Sequence, residues 1–286
     1  MRAACERFLF APAAPAGLGI TRALLYGGLL ALYARTGFAD YADVSEVFRC
    51  ELWFRPPVAP EAWLVAAHRV WLVALALACV GIFSRAAMAI SFALGTYLFW
   101  IDGSFGRVHH NELPVVLALG VFAASRAGDA FSLDALRRRA RPEPSGEYRW
   151  PLRAVQIALA LAFLAAGIAK LRNGGLEWIT TDNLRLQFLG RSYSLVPASG
   201  RNLLVARMPL LCNVLAAATV ACELLYGLSL VSARARMILV PASLAMIQGF
   251  ATFFGPRFTT FMLLSVVWLP WDRLLRHRPR GSGSSV

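Results

Sequence analysis

An all-α bundle of membrane-crossing helices is the fold class this sequence predicts, and three observations predict it. Hydrophobic residues make up 58% of the 286-residue chain, and its mean hydropathy is +0.57. The apolar residues fall into runs near the length a helix needs to cross a hydrocarbon layer ~30 Å thick. The 29 basic residues gather at the ends of those runs and in the short connections between them. That is the positive-inside pattern of a polytopic membrane protein. The formal net charge of +13 therefore does not signal nucleic acid as a partner. Membrane lipids are the expected surroundings, and one bundle over 1–275 with a disordered cytoplasmic tail at 276–286 is the expected organisation.

About eight transmembrane helices can be drawn, each an apolar run bounded by a polar stretch. The first, 16–34, ends where Arg35 opens a polar segment. The second, 62–83, and the third, 86–101, form a hairpin about the Ser84–Arg85 turn. The fourth, 111–127, is separated from the third by 102–110 and from the fifth, 152–170, by the arginine-rich stretch 126–150. The sixth, 209–232, and seventh, 237–254, flank Ser232-Ala233-Arg234-Ala235-Arg236, and the eighth is 258–271. The third and eighth are short for a span, and tilt or local bilayer thinning would accommodate them.

With both termini in the cytoplasm, 15 basic residues fall inside and 11 outside, and the densest short loops lie inside. Both termini are therefore expected in the cytoplasm, in a bacterial inner membrane. The N-terminal arginines precede an apolar run that no small-residue cleavage site follows, which reads as an uncleaved anchor. Two longer outside segments stand out. Residues 35–61 carry Asp40, Asp43, Glu46, Glu51, Trp53 and Phe54, too polar to span. Residues 170–208 hold Trp178, Phe188 and Tyr193, and are expected to fold over the outer mouth as a cap. The five cysteines show neither CxxC nor metal spacing, so inert thiols are expected and no metal.

Chemistry is sought where ionisable groups sit at membrane depth, because burying them there costs several kcal/mol. Of the 29 basic residues 28 are arginine, and the single lysine, Lys170, closes a membrane-length apolar run. Arginine keeps its proton, whereas a desolvated lysine amine can lose it. A snorkelling interfacial cation is the bland reading of Lys170. Arg22, His68, Arg69, Glu223 and Gln248 also lie within apolar runs. Interhelical hydrogen bonds or ion pairs account for these most simply, Glu223 with an arginine among them. The sharper cluster is His109-His110-Asn111-Glu112, opening the fourth helix. Helices four and five are adjacent in sequence, so His110 and Lys170 are expected at one outer cavity, within ~10 Å of each other. An imidazole, a carboxylate and an amine at one depth make a plausible acid–base set.

Several motifs, taken in order, resemble the HTTM family, whose membrane domain is shared with the vitamin K-dependent γ-glutamyl carboxylase. They are His110-Asn111-Glu112-Leu113-Pro114, the stretch Ser125 to Leu136 containing Ser132-Leu133-Asp134, Ala166-Gly167-Ile168-Ala169-Lys170-Leu171, Trp178, Glu223-Leu224-Leu225 and the region Phe254 to Phe258. The resemblance implies that Lys170 is the base that deprotonates a reduced vitamin K-type quinone such as a menaquinol. Oxygen addition would then give the strong base that allows CO2 to add to a carbanion. It implies an acid–base role for His110, whose spacing differs by about one residue, and places His109, Asn111, Glu112, Trp178, Glu223 and Gln248 as substrate- or cofactor-binding residues. O2 and CO2 are the implied co-substrates.

This sequence departs from the family pattern in three places. Ile179-Thr180-Thr181-Asp182 follows Trp178 where a glycine is common, and Gln248 stands where a family histidine is expected. The large extramembrane region that holds the protein substrate of the carboxylase is missing, so a small molecule or short peptide is the expected substrate. A second similarity, to the DoxX/MauE-type membrane proteins, is set aside because those chains are about half this size. The function expected is thus a carboxylase-like membrane enzyme. The alternative is a non-catalytic lipid- or small-molecule-binding protein or transporter, although no pair of Gly/Pro-broken half-helices supports transport.

Overall fold

The computed structural model describes residues 2–50, 57–105, 112–139, 142–194, 200–255, 258–271 and 274. Among them are thirteen α-helices and no strand, only the isolated bridges Ala13–Ser145 and Arg49–Phe105. In chain order the helices are α1 (Arg2–Phe10), α2 (Pro15–Tyr33), α3 (Glu61–Val80), α4 (Ser84–Ser104), α5 (Leu113–Ala123), α6 (Leu133–Arg138), α7 (Trp150–Gly174), α8 (Glu177–Thr180), α9 (Asn183–Ser194), α10 (Gly200–Ala206), α11 (Pro209–Leu225), α12 (Ala233–Phe253) and α13 (Thr259–Leu264).

Among the described residues six segments have the length and composition to cross a membrane: α2, α3, α4, Gly146–Gly174, Pro209–Leu230 and α12. The two remaining apolar helices, α5 and Thr259–Trp268, are shorter. The third helix is not short, as the sequence suggested. It runs 21 residues, from Ser84 through Asp102 and Gly103 to Ser104. The fifth also extends past Lys170 to Gly174.

Contacts divide the chain into two compact units, residues 1–155 with 263–286, and residues 156–262. In the first unit α2, α3, α4 and α5 pack consecutively around Leu25, Tyr26, Leu29, Trp71, Leu75, Met88, Leu98 and Phe122, all buried. The Trp71 indole meets the rings of Tyr33, Phe38 and Phe99 edge-on and donates to the Ser91 carbonyl at 3.1 Å. His68 sits beside Phe38, its Nε2 3.2 Å from the Tyr33 carbonyl oxygen. The polar segment after α2 folds onto the end of α4: Tyr41 stacks on Phe105 and hydrogen-bonds the Asp102 carboxylate, and the Cys50 amide donates to Ser104 O at 2.8 Å.

The stretch Ser125 to Leu136 closes the opposite end of this unit. Gly81 ends α3 in the left-handed region (φ 74°), and a Cβ there would lie 2.2 Å from Ser132 Cβ, so only glycine admits the docked loop. Ser132 donates to Gly128 O at 2.6 Å and caps α6 by accepting from Ala135 N at 2.9 Å. Asp134 caps a different helix: its carboxylate accepts from Phe83 N, Ser84 N and Ser84 Oγ at 3.2, 2.7 and 2.8 Å, satisfying the start of α4. Burial pushes the Asp134 carboxyl up, but these three hydrogen bonds outweigh it and hold the group below the usual aspartate value. Arg22, fully buried in α2, ties the assembly together through the carbonyls of Ala78, Cys79, Ala127 and Phe131. Two of those carbonyls end α3, where the helix dipole favours a cation.

In the second unit α11 packs with α12 and with the short helices α8, α9 and α10. The described residues between Glu177 and Ala206 therefore carry three short helices. Leu184, Phe188, Ala206, Cys212 and Ala216 form their shared core, with Trp178, Phe253 and Phe254 against it. Arg185 and Asn202 anchor the segment by donating to Ala206 O (3.0 Å) and Phe253 O (2.7 Å). Cys212 and Cys222 are buried free thiols.

Candidate functional site

Within the second unit α7 brings Lys170 to a carboxylate. The amine donates to both oxygens of Glu223 on α11, at 2.7 and 2.8 Å. The Glu223 side chain is only 4% exposed and that of Lys170 22%, so the pair is shielded on the glutamate side and reachable on the amine side. The Trp178 ring of α8 lies under the same amine, its centroid 5.4 Å from Nζ, within cation–π range. Glu223 therefore pairs with lysine and not with an arginine.

The local sequence explains the geometry. Gly167 precedes Lys170 by three residues and so lies on the same face of α7. A Cβ there would meet Leu224 Cδ2 at 2.9 Å and Glu223 Cβ at 3.1 Å. Its hydrogen is what lets α11 approach closely enough for the two charges to meet. Gly174, four residues after Lys170, faces Trp178 Cβ at 3.3 Å. Gly175 then takes the left-handed conformation (φ 56°) with its amide bonded to Leu171 O at 2.8 Å, ending the helix. The chain turns back, and Trp178 arrives beneath the amine. Lys170 thus lies about one turn, ~6 Å, inside the end of α7. Gly167 was read only as part of the motif around Lys170 and Gly174 was not singled out, although their spacing from Lys170 was the available signal.

Charge of either sign at this depth is costly alone, and pairing is what offsets the desolvation. An amine held by one carboxylate, against an aromatic face and open on one side, can accept or release a proton toward a ligand entering from that side.

The other expected residues are placed as follows. His109, His110 and Asn111 lie outside the described residues, and so does the expected approach of His110 to Lys170. Glu112 precedes α5 in the first unit, where its carboxylate meets the Tyr33 phenol. Gln248 is exposed on α12; its amide donates to Thr252 Oγ1 at 3.5 Å, and that hydroxyl donates back to Gln248 O at 2.8 Å.

Comparison with curated proteins and with solved structures yields no match. The HTTM domain model matches residues 10–269, a range that holds both the loop Ser125 to Leu136 and the Lys170–Glu223 pair. The chain therefore belongs to the HTTM family, as an integral membrane protein related to the membrane domain of the vitamin K-dependent carboxylase.

Proposed function

We propose that this protein is a carboxylase-like membrane enzyme that uses a reduced vitamin K-type quinone to drive carboxylation, or a related oxygenation, of a small molecule or short peptide. The observation that carries the reading is the Lys170 amine, held by Glu223 at 2.7 and 2.8 Å and open on its other side over Trp178. These groups suit a flat phenolic ligand: the indole offers a stacking face and the amine a proton acceptor beside it. When bound, the quinol would supply the reducing electrons with which O2 is activated, so that CO2 can add.

The rest of the work falls to the chain. To act as a base, Lys170 must first be neutral, and Glu223 is positioned to take the proton from Nζ. Away from water the neutral amine–acid pair lies closer in energy to the ion pair than it does in solution. The freed amine then accepts the proton of the phenolic hydroxyl, and the resulting ammonium stabilises the negative charge left on that oxygen. The amine is then an ammonium again, and the proton left on Glu223 leaves the pair through the open side of the amine, to the product or to water, which restores the carboxylate and the ion pair. His110 enters the proposal as a second acid–base group, with His109, Asn111, Glu112 and Gln248 as binding residues, on the strength of the family resemblance.

The test is oxygen uptake and labelled CO2 incorporation by purified protein in lipid, with menaquinol or phylloquinol. Stimulation by quinol supports the reading, and no stimulation by either quinol removes it. The second reading, a non-catalytic lipid- or small-molecule-binding protein, is favoured by the completeness of the Lys170–Glu223 contact. It predicts quinol binding without turnover.

A further inference from the structure

At the closed end of the first unit, a cavity of about 540 Å³ opens between the α3–α4 turn and the docked loop Ser125 to Leu136. Three arginines line it: Arg85, Arg126 and Arg138. Two carboxylates are also present, but both are engaged. Asp134 is committed to the amides of Phe83 and Ser84 at the start of α4. Asp129 accepts from Arg126 (2.7 Å) and the Tyr148 phenol (3.0 Å), with Arg138 at 3.5 Å. The Arg126 and Arg138 side chains are nevertheless 50% and 57% exposed, leaving most of each guanidinium fork available. Arg85 is exposed, with no described partner. The cavity therefore presents more positive charge than its own carboxylates neutralise.

A second observation concerns the rim. Phe83 and Phe131 both hold the left-handed backbone (φ 47° and 48°), a conformation that costs non-glycine residues about 1–3 kcal/mol and persists where the surroundings enforce it. Here the Asp134 cap fixes Phe83, and the Arg22 bond to the Phe131 carbonyl fixes Phe131. Both rings are turned outward, 69% and 58% exposed. The turn joins two span-length helices, so these rings stand at the depth where a membrane meets water. Basic forks for a phosphate and aromatic rings for the adjoining apolar matter occur together.

We propose that this cavity binds a phosphate ester, held by the guanidinium groups of Arg85, Arg126 and Arg138, and that the ester is the headgroup of an anionic phospholipid whose chains lie against Phe83 and Phe131. Arginine forks pair bidentately with phosphate oxygens, and each cation near an anionic membrane surface strengthens binding about fivefold. The site is separate from the Lys170–Glu223 pair and does not depend on what that pair does.

The experiment is native mass spectrometry of lipid retention after extraction from bilayers mixing phosphatidylglycerol and phosphatidylcholine. A parallel arm adds inorganic phosphate or glycerol 3-phosphate and reads the melting midpoint. Wild type should retain phosphatidylglycerol preferentially. Arg85→Gln should weaken retention about fivefold, and Arg85→Gln/Arg126→Gln/Arg138→Gln about a hundredfold. Arg137→Gln, outside the cavity lining, should change little. Arg85 holds no described contact, so its single variant keeps the test independent of folding. Stabilisation by soluble phosphate that needs the same arginines, with no preference for the anionic lipid, would uphold the phosphate chemistry and overturn the lipid as its source. Equal retention in wild type and triple variant, with no response to soluble phosphate, would overturn the site.

Discussion

Replacing Lys170 by methionine isolates what the ion pair contributes to the fold. The substitution keeps the length of the side chain and removes the amine that donates to both Glu223 Oε1 and Oε2. Glu223 is 4% exposed, so it cannot turn to water, and breaking a buried pair on one side costs about 3–5 kcal/mol. An upper limit comes from the alternative open to an orphaned carboxylate, which is to take a proton from solvent. For a group with an ordinary value near 4.3 that costs roughly 3.7 kcal/mol at pH 7 and about 1 kcal/mol at pH 5. The loss should therefore be about 3 kcal/mol at pH 7. At about 2 °C per kcal/mol for a chain of this size, the melting midpoint in detergent should fall by about 6 °C. Lowering the pH to 5 should shrink the deficit by more than half. Lys170→Met combined with Glu223→Leu removes both charges and should recover most of the loss, because a well-packed apolar pair is often no less stable than a buried ion pair. A double variant whose loss equals the sum of the two single losses would refute the pairing, as would a Lys170→Met deficit that does not change with pH.

Other substitutions test the supporting geometry. Gly167→Ala places a methyl 2.9 Å from Leu224 Cδ2 and should cost about 1–3 kcal/mol by overpacking. Gly190→Ala, at an exposed position of α9 with no heavy atom within 4 Å of the added Cβ, should be neutral or gain up to about 1 kcal/mol; equal melting shifts in the two variants would contradict the close-approach role of Gly167. Arg22→Leu strips the donor from four carbonyls and should lower the yield of monodisperse protein sharply, at about 1–3 kcal/mol for each acceptor left dry. Asp134→Asn should weaken the cap of α4 and change the acid stability. The Asp134 value is held low in the fold, so its contribution is present above about pH 4, the unfolded aspartate value, and is lost as pH falls through the folded value. The variant should accordingly melt at a lower temperature at neutral pH and show a smaller drop between pH 5 and pH 3.

Much of the architecture was legible because a bilayer imposes lengths that hydropathy reveals: six of the eight expected spans recur as helices long and apolar enough to cross, and the fourth and eighth as shorter apolar helices. What escaped depended on partners distant in sequence. The third helix was drawn short at both ends: its first turn is capped by Asp134, fifty residues later, which leaves no local sign at Ser84, and its last turn carries Asp102 and Gly103, which read as the end of an apolar run. Arg22 was expected in an interhelical hydrogen bond or ion pair, and it makes hydrogen bonds, but its acceptors are backbone carbonyls, which every residue carries and no sequence pattern marks. Lys170 stood out by being the only lysine, and Glu223 by being ionisable in an apolar run. That they belong together was hidden because α7 is apolar on nearly every side, so no amphipathic stripe shows which face meets α11. The small helices of 177–206 were missed for the opposite reason. Their runs are brief, and the burial of Leu184 and Phe188 comes from packing against residues 206–216 and 253–254.

The central claim is that Lys170 acts as a base, and Lys170→Arg tests it most directly. Arginine keeps the charge, the reach to Glu223 and most of the apolar stem, but its guanidinium does not give up its proton in a protein. Quinol-dependent oxygen uptake would be compared for wild type and variant, with the melting midpoint as the measure of folding. The account predicts a midpoint within a few degrees of wild type and uptake reduced at least about a hundredfold, the scale of a lost general base. Full quinol-dependent uptake in Lys170→Arg would contradict it.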